Sequence, residues 1–164
     1  MVDELGKQIS RAKANHLFRK DDDVILNYDN VLGYRGDDSK IDVDAFAMTK
    51  GKTITLNKFM YDDSKHLKFE YESAVKAHFF PQGTTYRNVV VHEFGHIIDH
   101  KHPEYKARIF TILNQDAIND NVEVEEWIRT RISDYATDDS VFSGQYKELV
   151  PEVLMLIMGN YQSM

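Results

Sequence analysis

The chain has 164 residues, a formal net charge of −7 and no cysteine. This length suffices for one domain with its own hydrophobic core, so we treat residues 1–164 as a single domain. The acidic balance argues against nucleic acid or an anionic membrane surface as the main partner. Without cysteine, any metal site must be built from nitrogen and oxygen ligands.

The first part of the chain predicts one helix followed by strands. Apolar residues at helical spacing predict an amphipathic helix over residues 3–19. The segment 24–28 predicts a short strand, and the glycines and aspartates after it predict turns. Two more strands, 44–49 and 53–57, are expected on either side of a turn at residues 50–52. In 53–57, Thr and Asn alternate with Ile and Leu, which predicts one buried and one exposed face.

Five helices are predicted in the rest of the chain. Asp63 or Ser64 is a suitable cap for the first helix and Thr84 for the second. The second helix should end near Lys101, because His102 precedes a proline and is biased out of helical geometry. The five helices are expected at about 63–77, 86–101, 104–118 and 122–132 and, after a loop over 133–144, in a last segment that ends near Gly159. Strands and helices together predict an α+β fold.

The segment HEFGHIIDHKH, residues 92–102, holds four of the chain's seven histidines. His92 and His96 are one helical turn apart, so their imidazoles share a face and can bind one cation. Glu93 is displaced toward the same cleft, where its carboxylate can reach a water molecule at the metal. This is the zincin motif H-E-x-x-H, which predicts a Zn²⁺ site with Glu93 as the general base. The alternative is a surface pair or a core pair of histidines without a metal.

The residues around the motif favour the metal site. The flanking positions are apolar on nearly all sides, so the histidines are expected to be buried and to need partners. Gly95 is a poor helix former inside this helix. Its presence predicts that another part of the chain packs closely there.

The third protein ligand remains open between two candidates. His102 has the spacing of a metzincin ligand, but Asp99 stands where glycine would let the helix break. We expect Asp99 instead to accept a hydrogen bond from a zinc-bound histidine. Glu148 and Glu152 lie on an apolar helix, where a buried carboxylate needs a partner. The acidic residues at 123–126 are expected to form a solvated face.

These motifs together resemble a known family. The combination of H-E-F-G-H-x-x-D at 92, S-x-Y-A at 133 and E-x-x-x-E at 148 resembles the lethal-factor-like branch of the gluzincin peptidases. The phrase FFPQGTTYRNVVVHEFGHIID is similar to zincin-like domains encoded in bacteriophage head-morphogenesis and minor capsid genes. The likeness covers about residues 45–160 and leaves residues 1–40 as an N-terminal helix and a variable segment. It implies a zincin-like fold, with a small mixed sheet and an edge strand packed on a buried metal-binding helix, and a C-terminal helical part.

The resemblance also implies roles for three residues near the C-terminus. Glu148 would be the third zinc ligand, Glu152 a carboxylate behind the ligands, and Tyr135 the phenol that stabilises the oxyanion. The chain departs from the family at Pro151, where the family's last helix usually has alanine. Because proline is tolerated only in the first turn of a helix, this helix should start near Lys147 or be kinked.

The function implied by the resemblance is a zinc metallopeptidase acting on a peptide or protein substrate. The substrate would lie along an exposed strand, for which residues 53–57 are the candidate. The alternatives are a phage-head structural module with a zinc site and little or no peptidase activity, and an injected toxin. The start of the chain has no apolar signal region, and the longest apolar run, 153–158, is too short to span a bilayer. We therefore expect an intracellular or virion-associated protein, with phage structural proteins among its partners.

Overall fold

The computed structural model describes residues 24–34, 36–138 and 145–163, with side chains up to residue 159. The helix predicted over residues 3–19 and the second half of the loop predicted over 133–144 lie outside the described residues. Within the described residues, no helix is long and apolar enough to cross a membrane.

The strands of the described residues form two small sheets. They are β1 (Ile25–Asp29), β2 (Leu32–Tyr34), β3 (Asp37–Ile41), β4 (Ala47–Lys50) and β5 (Thr53–Asn57). β5 is the central strand of one sheet, parallel to β1 on one side and antiparallel to β4 on the other. β2 and β3 form a separate antiparallel pair. In the described part of the chain, β1 and β4 are therefore the edges of the three-stranded sheet.

In the described residues, six α-helices and two short 3₁₀ helices follow the strands. The α-helices are α1 (Lys58–Tyr61), α2 (Ser64–Lys76), α3 (Val89–Lys101), α4 (Pro103–Asn119), α5 (Val124–Arg131) and α6 (Leu149–Ser163), and the 3₁₀ helices are Tyr86–Asn88 and Tyr135–Thr137. Helices and sheets together make a mixed α+β fold, as predicted.

The strands predicted within residues 24–57 are confirmed, although β4 begins at Ala47 rather than at 44. The prediction that residues 53–57 form an edge strand is wrong. All four residues from Ile54 to Asn57 are buried, because β5 has a strand on each side. The buried polar residues of β5 led to the wrong prediction, because their side chains form hydrogen bonds inside the protein. The Asn57 amide, for example, donates to the carbonyl oxygens of Asp42 and Ala45.

The β2–β3 hairpin was missed, since only turns were predicted there. Gly33 and Gly36 do occupy left-handed backbone conformations, with φ of 120° and 82°. β3, however, is exposed along its whole length. An exposed strand carries no alternation of buried and solvated residues, which is the signal by which a strand is recognised in a sequence.

The start of α2 is as predicted. The motif helix was predicted from Tyr86, but a 3₁₀ turn begins there and the α-helix begins at Val89, and the capping residue is displaced by one position. The Asp63 carboxylate caps α2 by accepting two backbone N–H groups. Thr85, not Thr84, caps the 3₁₀ turn that leads into α3, where its hydroxyl accepts the N–H of Arg87. The Thr84 hydroxyl instead donates to the carbonyl oxygen of Pro81 at 2.6 Å.

Helix α6 resolves the question raised by its proline. The helix begins at Leu149, so Pro151 falls in the first turn, where the missing N–H costs no hydrogen bond. The predicted end near Gly159 is wrong, because the helix continues to Ser163. Gly159 lies where α6 closely approaches Thr84, because a Cβ at this position would lie 2.9 Å from Cγ2 of Thr84.

Helix α3 lies between the sheet and α6, and nearly all of it is buried. Phe94 and Ile97 pack with Ile54 of the central strand. On another face, a Cβ at Gly95 would lie 2.6 Å from Cα of Pro151 in α6. The close packing predicted at Gly95 is therefore confirmed, and it sets the separation of the two helices that carry the candidate site.

Candidate metal centre

Three side chains meet where α3 approaches α6. His92 and His96 project from one face of α3, and Glu148 immediately precedes α6. The Nε2 atoms of both histidines lie 3.0 Å from Oε2 of Glu148. One ligand atom from each of the three residues lies within 4.8 Å of the other two. Of the two candidates for a third ligand, Glu148 is the residue that lies beside both histidines.

The chemistry of the three residues fits a small divalent cation. Oε2 of Glu148 is buried and accepts no hydrogen bond of good geometry, although two ring nitrogens are close to it. A buried carboxylate oxygen without a donor is costly unless a cation compensates it. Two imidazole nitrogens and one carboxylate oxygen are also a known ligand set of catalytic zinc sites.

A series of hydrogen bonds orients His92 through its Nδ1 atom, on the side of the ring away from Glu148. Its Nδ1 lies 2.8 Å from Oε2 of Glu152, and Oε1 of Glu152 accepts the Ser133 hydroxyl at 2.8 Å. The Ser133 oxygen in turn accepts the N–H of Ala136. With its Nδ1 proton held by Glu152, the neutral form of His92 would present its Nε2 lone pair to a metal ion. Glu152 thus lies where the resemblance implied, whereas Ser133 was given no role from the sequence, although it opens the S-x-Y-A segment.

The electrostatics of the cluster favour a positive charge at its centre. Burial by itself lowers the pKa of His92, but contacts with Glu148 and Glu152 raise it to about 10. Burial raises the pKa of Glu148, but the neighbouring His92 and His96 rings bring it down to about 2. The pKa of Glu152 is raised, chiefly by burial. Two carboxylates around one imidazole are stabilised by a cation, whether a proton or a metal ion.

Glu93 lies beside the cluster and is held by a residue of the sheet. Its carboxylate is largely buried and forms part of the walls of two adjoining cavities. The Thr49 hydroxyl on β4 donates to Oε2 of Glu93 and lies 3.1 Å from the Glu93 carbonyl oxygen. Thr49 was missed in the sequence, because nothing local shows that β4 reaches α3. The Thr49 hydroxyl contacts one carboxylate oxygen of Glu93 and leaves the other oxygen for another partner.

Tyr135 lies against the other side of the cluster. Its ring stacks on the His92 ring, with centroids 5.5 Å apart, and on Phe79 at 4.6 Å. Burial, and then the nearby carboxylates of Glu148 and Glu93, raise the pKa of the phenol. The hydroxyl therefore stays protonated and can donate a hydrogen bond at neutral pH.

Asp99 and His102 do not join the cluster. Oδ2 of Asp99 pairs with Lys106 at 3.4 Å, and Oδ1 is buried without a hydrogen-bond partner. The hydrogen bond predicted from a ligand histidine to Asp99 is thus not formed, because α4 folds back and presents Lys106 instead. His102 ends α3, where its Nδ1 lies 3.2 Å from Glu104 and its ring stacks on Tyr105.

A groove passes the cluster along β4. It consists of two cavities, of about 450 and 280 Å³, whose walls share Ala47, Glu93 and Tyr135. The larger cavity reaches His96 and the smaller one reaches His92. The candidate metal centre therefore lies in the wall of an open groove bordered by an edge strand.

No protein-family model, curated protein or solved structure matches this chain. Its function must therefore be argued from the residues of the site and their geometry.

Proposed function

We propose that this chain is a zinc-dependent metallopeptidase with a zincin-like fold, akin to the lethal-factor-like gluzincins and their phage-encoded counterparts. The observation that carries the proposal is the convergence of His92, His96 and Glu148 beside Glu93 in the wall of a groove. Zinc suits this set because neutral imidazoles and a carboxylate bind it well and leave a coordination position open. A site that only held helices together would not need a further carboxylate facing the groove.

The roles of the chain's own residues follow from their positions. When bound, zinc would supply Lewis-acid polarisation of the scissile carbonyl and of a water molecule. Glu93 accepts the proton of the attacking water and delivers it to the leaving amine. Thr49 holds one oxygen of this carboxylate and leaves the other for proton transfer. The Tyr135 phenol donates to the oxyanion, a type of contact worth about 3 kcal/mol in other enzymes.

An extended peptide is the substrate that best fits the groove. Among the described residues, no strand pairs with one edge of β4, and this strand borders both cavities. A peptide that adds to such an edge forms main-chain hydrogen bonds, and its alternate side chains point into the pockets. This role belongs to β4 rather than to residues 53–57, because β5 is enclosed by strands on both sides.

The metal content of the purified protein tests the site. Elemental mass spectrometry should find about one zinc per chain in the wild type and much less in Glu148→Ala. His102→Ala is the matched control, since this residue lies outside the cluster, and it should retain the metal. Zinc retained in Glu148→Ala would contradict the third ligand. No zinc in the wild type after zinc is supplied would reject the proposal.

Peptidase activity tests the role of Glu93. The Glu93→Gln variant keeps the size of the side chain but not the base, so it should bind zinc and lose roughly 100-fold or more of the cleavage of an unfolded protein. Unchanged activity would show that Glu93 is not the base. A full complement of zinc with no cleavage by the wild type would instead favour the alternative, a structural module of a phage head.

A further inference from the structure

We propose that the groove selects peptides by charge, with an acidic residue on the N-terminal side of the scissile bond and an apolar or basic residue on the C-terminal side. The inference rests on the proposed function and names its substrate class. It comes from the opposite chemical character of the two ends of the groove.

Two lysines adjoin the larger cavity. Gly51 lines it and is flanked by Lys50 and Lys52, both of which are exposed. Lys50 shares a face of β4 with Met48, which lines the cavity, because side chains two residues apart on a strand point the same way. The two carboxylates that line this cavity, those of Glu93 and Glu148, already belong to the proposed zinc site.

The smaller cavity has an acidic rim and an apolar interior. Asp42 and Asp44 line it, together with buried apolar side chains that include Phe80 and Met155. Among the described residues, no lysine or arginine lines this cavity or is adjacent in sequence to Asp42 or Asp44. This end suits an apolar side chain, or a long basic one whose methylene groups lie along the aromatic wall.

The direction of β4 determines which end of the groove binds which half of the peptide. The strand runs from Ala47, in the wall shared by both cavities, toward the Gly51 end of the larger one. Antiparallel pairing is somewhat more stable than parallel pairing, so a peptide on the free edge should run the opposite way. Its N-terminal half then lies by the lysines and its C-terminal half by the aspartates. Peptide and groove are electrostatically complementary in this orientation.

The preference must come from the groove itself, because the whole chain carries a net charge of −7 and would repel acidic peptides elsewhere. Exposed ion pairs are individually weak. Several acting together should favour an acid-first peptide about tenfold at low ionic strength. Salt should reduce this ratio, because exposed charges are screened.

Peptide binding can be measured without cleavage in the zinc-loaded Glu93→Gln variant. Two fluorescein-labelled peptides with the same C-terminal half carry either two glutamates or two lysines in the N-terminal half. Fluorescence anisotropy should show about tenfold tighter binding of the glutamate peptide. Adding Lys50→Glu and Lys52→Glu should reverse the order. The matched control, Lys65→Glu with Lys68→Glu, makes the same charge change on α2, a helix that lines neither cavity, and should keep the original order.

Three results would overturn the charge preference. They are equal binding of the two peptides, a preference that survives the substitution of Lys50 and Lys52, and tighter binding of a third peptide with its glutamates moved to the C-terminal half. Mapping of the bonds that the wild type cuts in an unfolded protein separates the two proposals. Biased binding without any cleavage would reject the peptidase and keep the polar groove. Cleavage without acidic residues enriched before the cut would keep the peptidase and reject the selection by charge.

Discussion

The junction of α3 with α6 and the outer layer formed by β1 and the β2–β3 hairpin differ in how their residues are held. At the junction even a carboxylate, Glu152, is completely buried and has two polar partners, and Gly95 touches the backbone of Pro151. In the outer layer every residue of β1 is exposed. Polar side chains there meet at the surface, as where the Tyr28 hydroxyl donates to Asp62. Substitutions at the junction should therefore alter the site, whereas those in the outer layer should leave it unchanged.

The largest effect is expected from Glu152→Ala at the junction. The change leaves the Nδ1 group of His92 buried without a partner and the Ser133 hydroxyl without an acceptor for its proton. The free energy of unfolding should fall by about 3–5 kcal/mol, and zinc affinity by roughly 10- to 100-fold. Urea unfolding and competition with a chelating dye measure the two quantities. Glu152→Gln, which keeps an acceptor, should lose less stability and less zinc affinity. Unaltered zinc binding in Glu152→Ala would show that Glu152 does not orient His92.

Gly95→Ala tests the contact between the two helices. The new methyl group would lie 2.6 Å from Cα of Pro151, and a backbone atom cannot rotate away. Overpacking of this kind costs about 1–3 kcal/mol, which should outweigh the gain in helix propensity of about 1 kcal/mol. The midpoint of urea unfolding should fall. Gly159→Ala is the comparison, because its methyl would meet the side chain of Thr84 and should cost less. A rise in stability for Gly95→Ala would mean that the helices are further apart than described.

Thr49→Val examines the link between the sheet and the site. The hydroxyl donates to the Glu93 carboxylate, and a hydrogen bond to a charged group is worth about 1.5–3 kcal/mol. The kcat should fall about tenfold with KM nearly unchanged, because the base loses its orientation whereas the surface that binds the substrate is not altered. Thr49→Ser should restore kcat. A raised KM with normal kcat would instead place Thr49 in peptide binding.

The smallest effect is expected from Tyr28→Phe in the outer layer. The Tyr28 hydroxyl donates to Oδ1 of Asp62, and this hydrogen bond, more than the nearby Lys58, lowers the pKa of Asp62. A lowered pKa stabilises the fold above the carboxyl pKa of the unfolded chain, and the stabilisation is lost as the pH falls through the folded value. The variant should melt slightly below the wild type near pH 7 and together with it near pH 2. Equal losses at both pH values would point to packing rather than to the carboxylate.

Much of the secondary structure could be predicted because it depends on short-range signals. Asp63 caps α2 as expected, and α3 ends before the proline that follows His102. The i, i+4 spacing places His92 and His96 on one face of α3 through helix geometry alone. Two of the predictions that failed, Thr84 as a cap and Gly159 as a helix end, concern residues that meet each other across the fold, where a Cβ at Gly159 would contact Cγ2 of Thr84.

By itself, the sequence determined helices α2 to α6, strands β1, β4 and β5 and the pair of histidines, because hydrogen bonding within a helix and alternation along a strand act over a few residues. The tertiary structure alone decided which side chains face that pair. It placed Glu148 rather than His102 beside the histidines, and it paired Asp99 with Lys106. It also enclosed β5 between two strands and brought Thr49 into contact with Glu93. The physical reason is that strand order and helix packing depend on contacts between segments far apart in the chain, and such contacts leave no local period in the sequence.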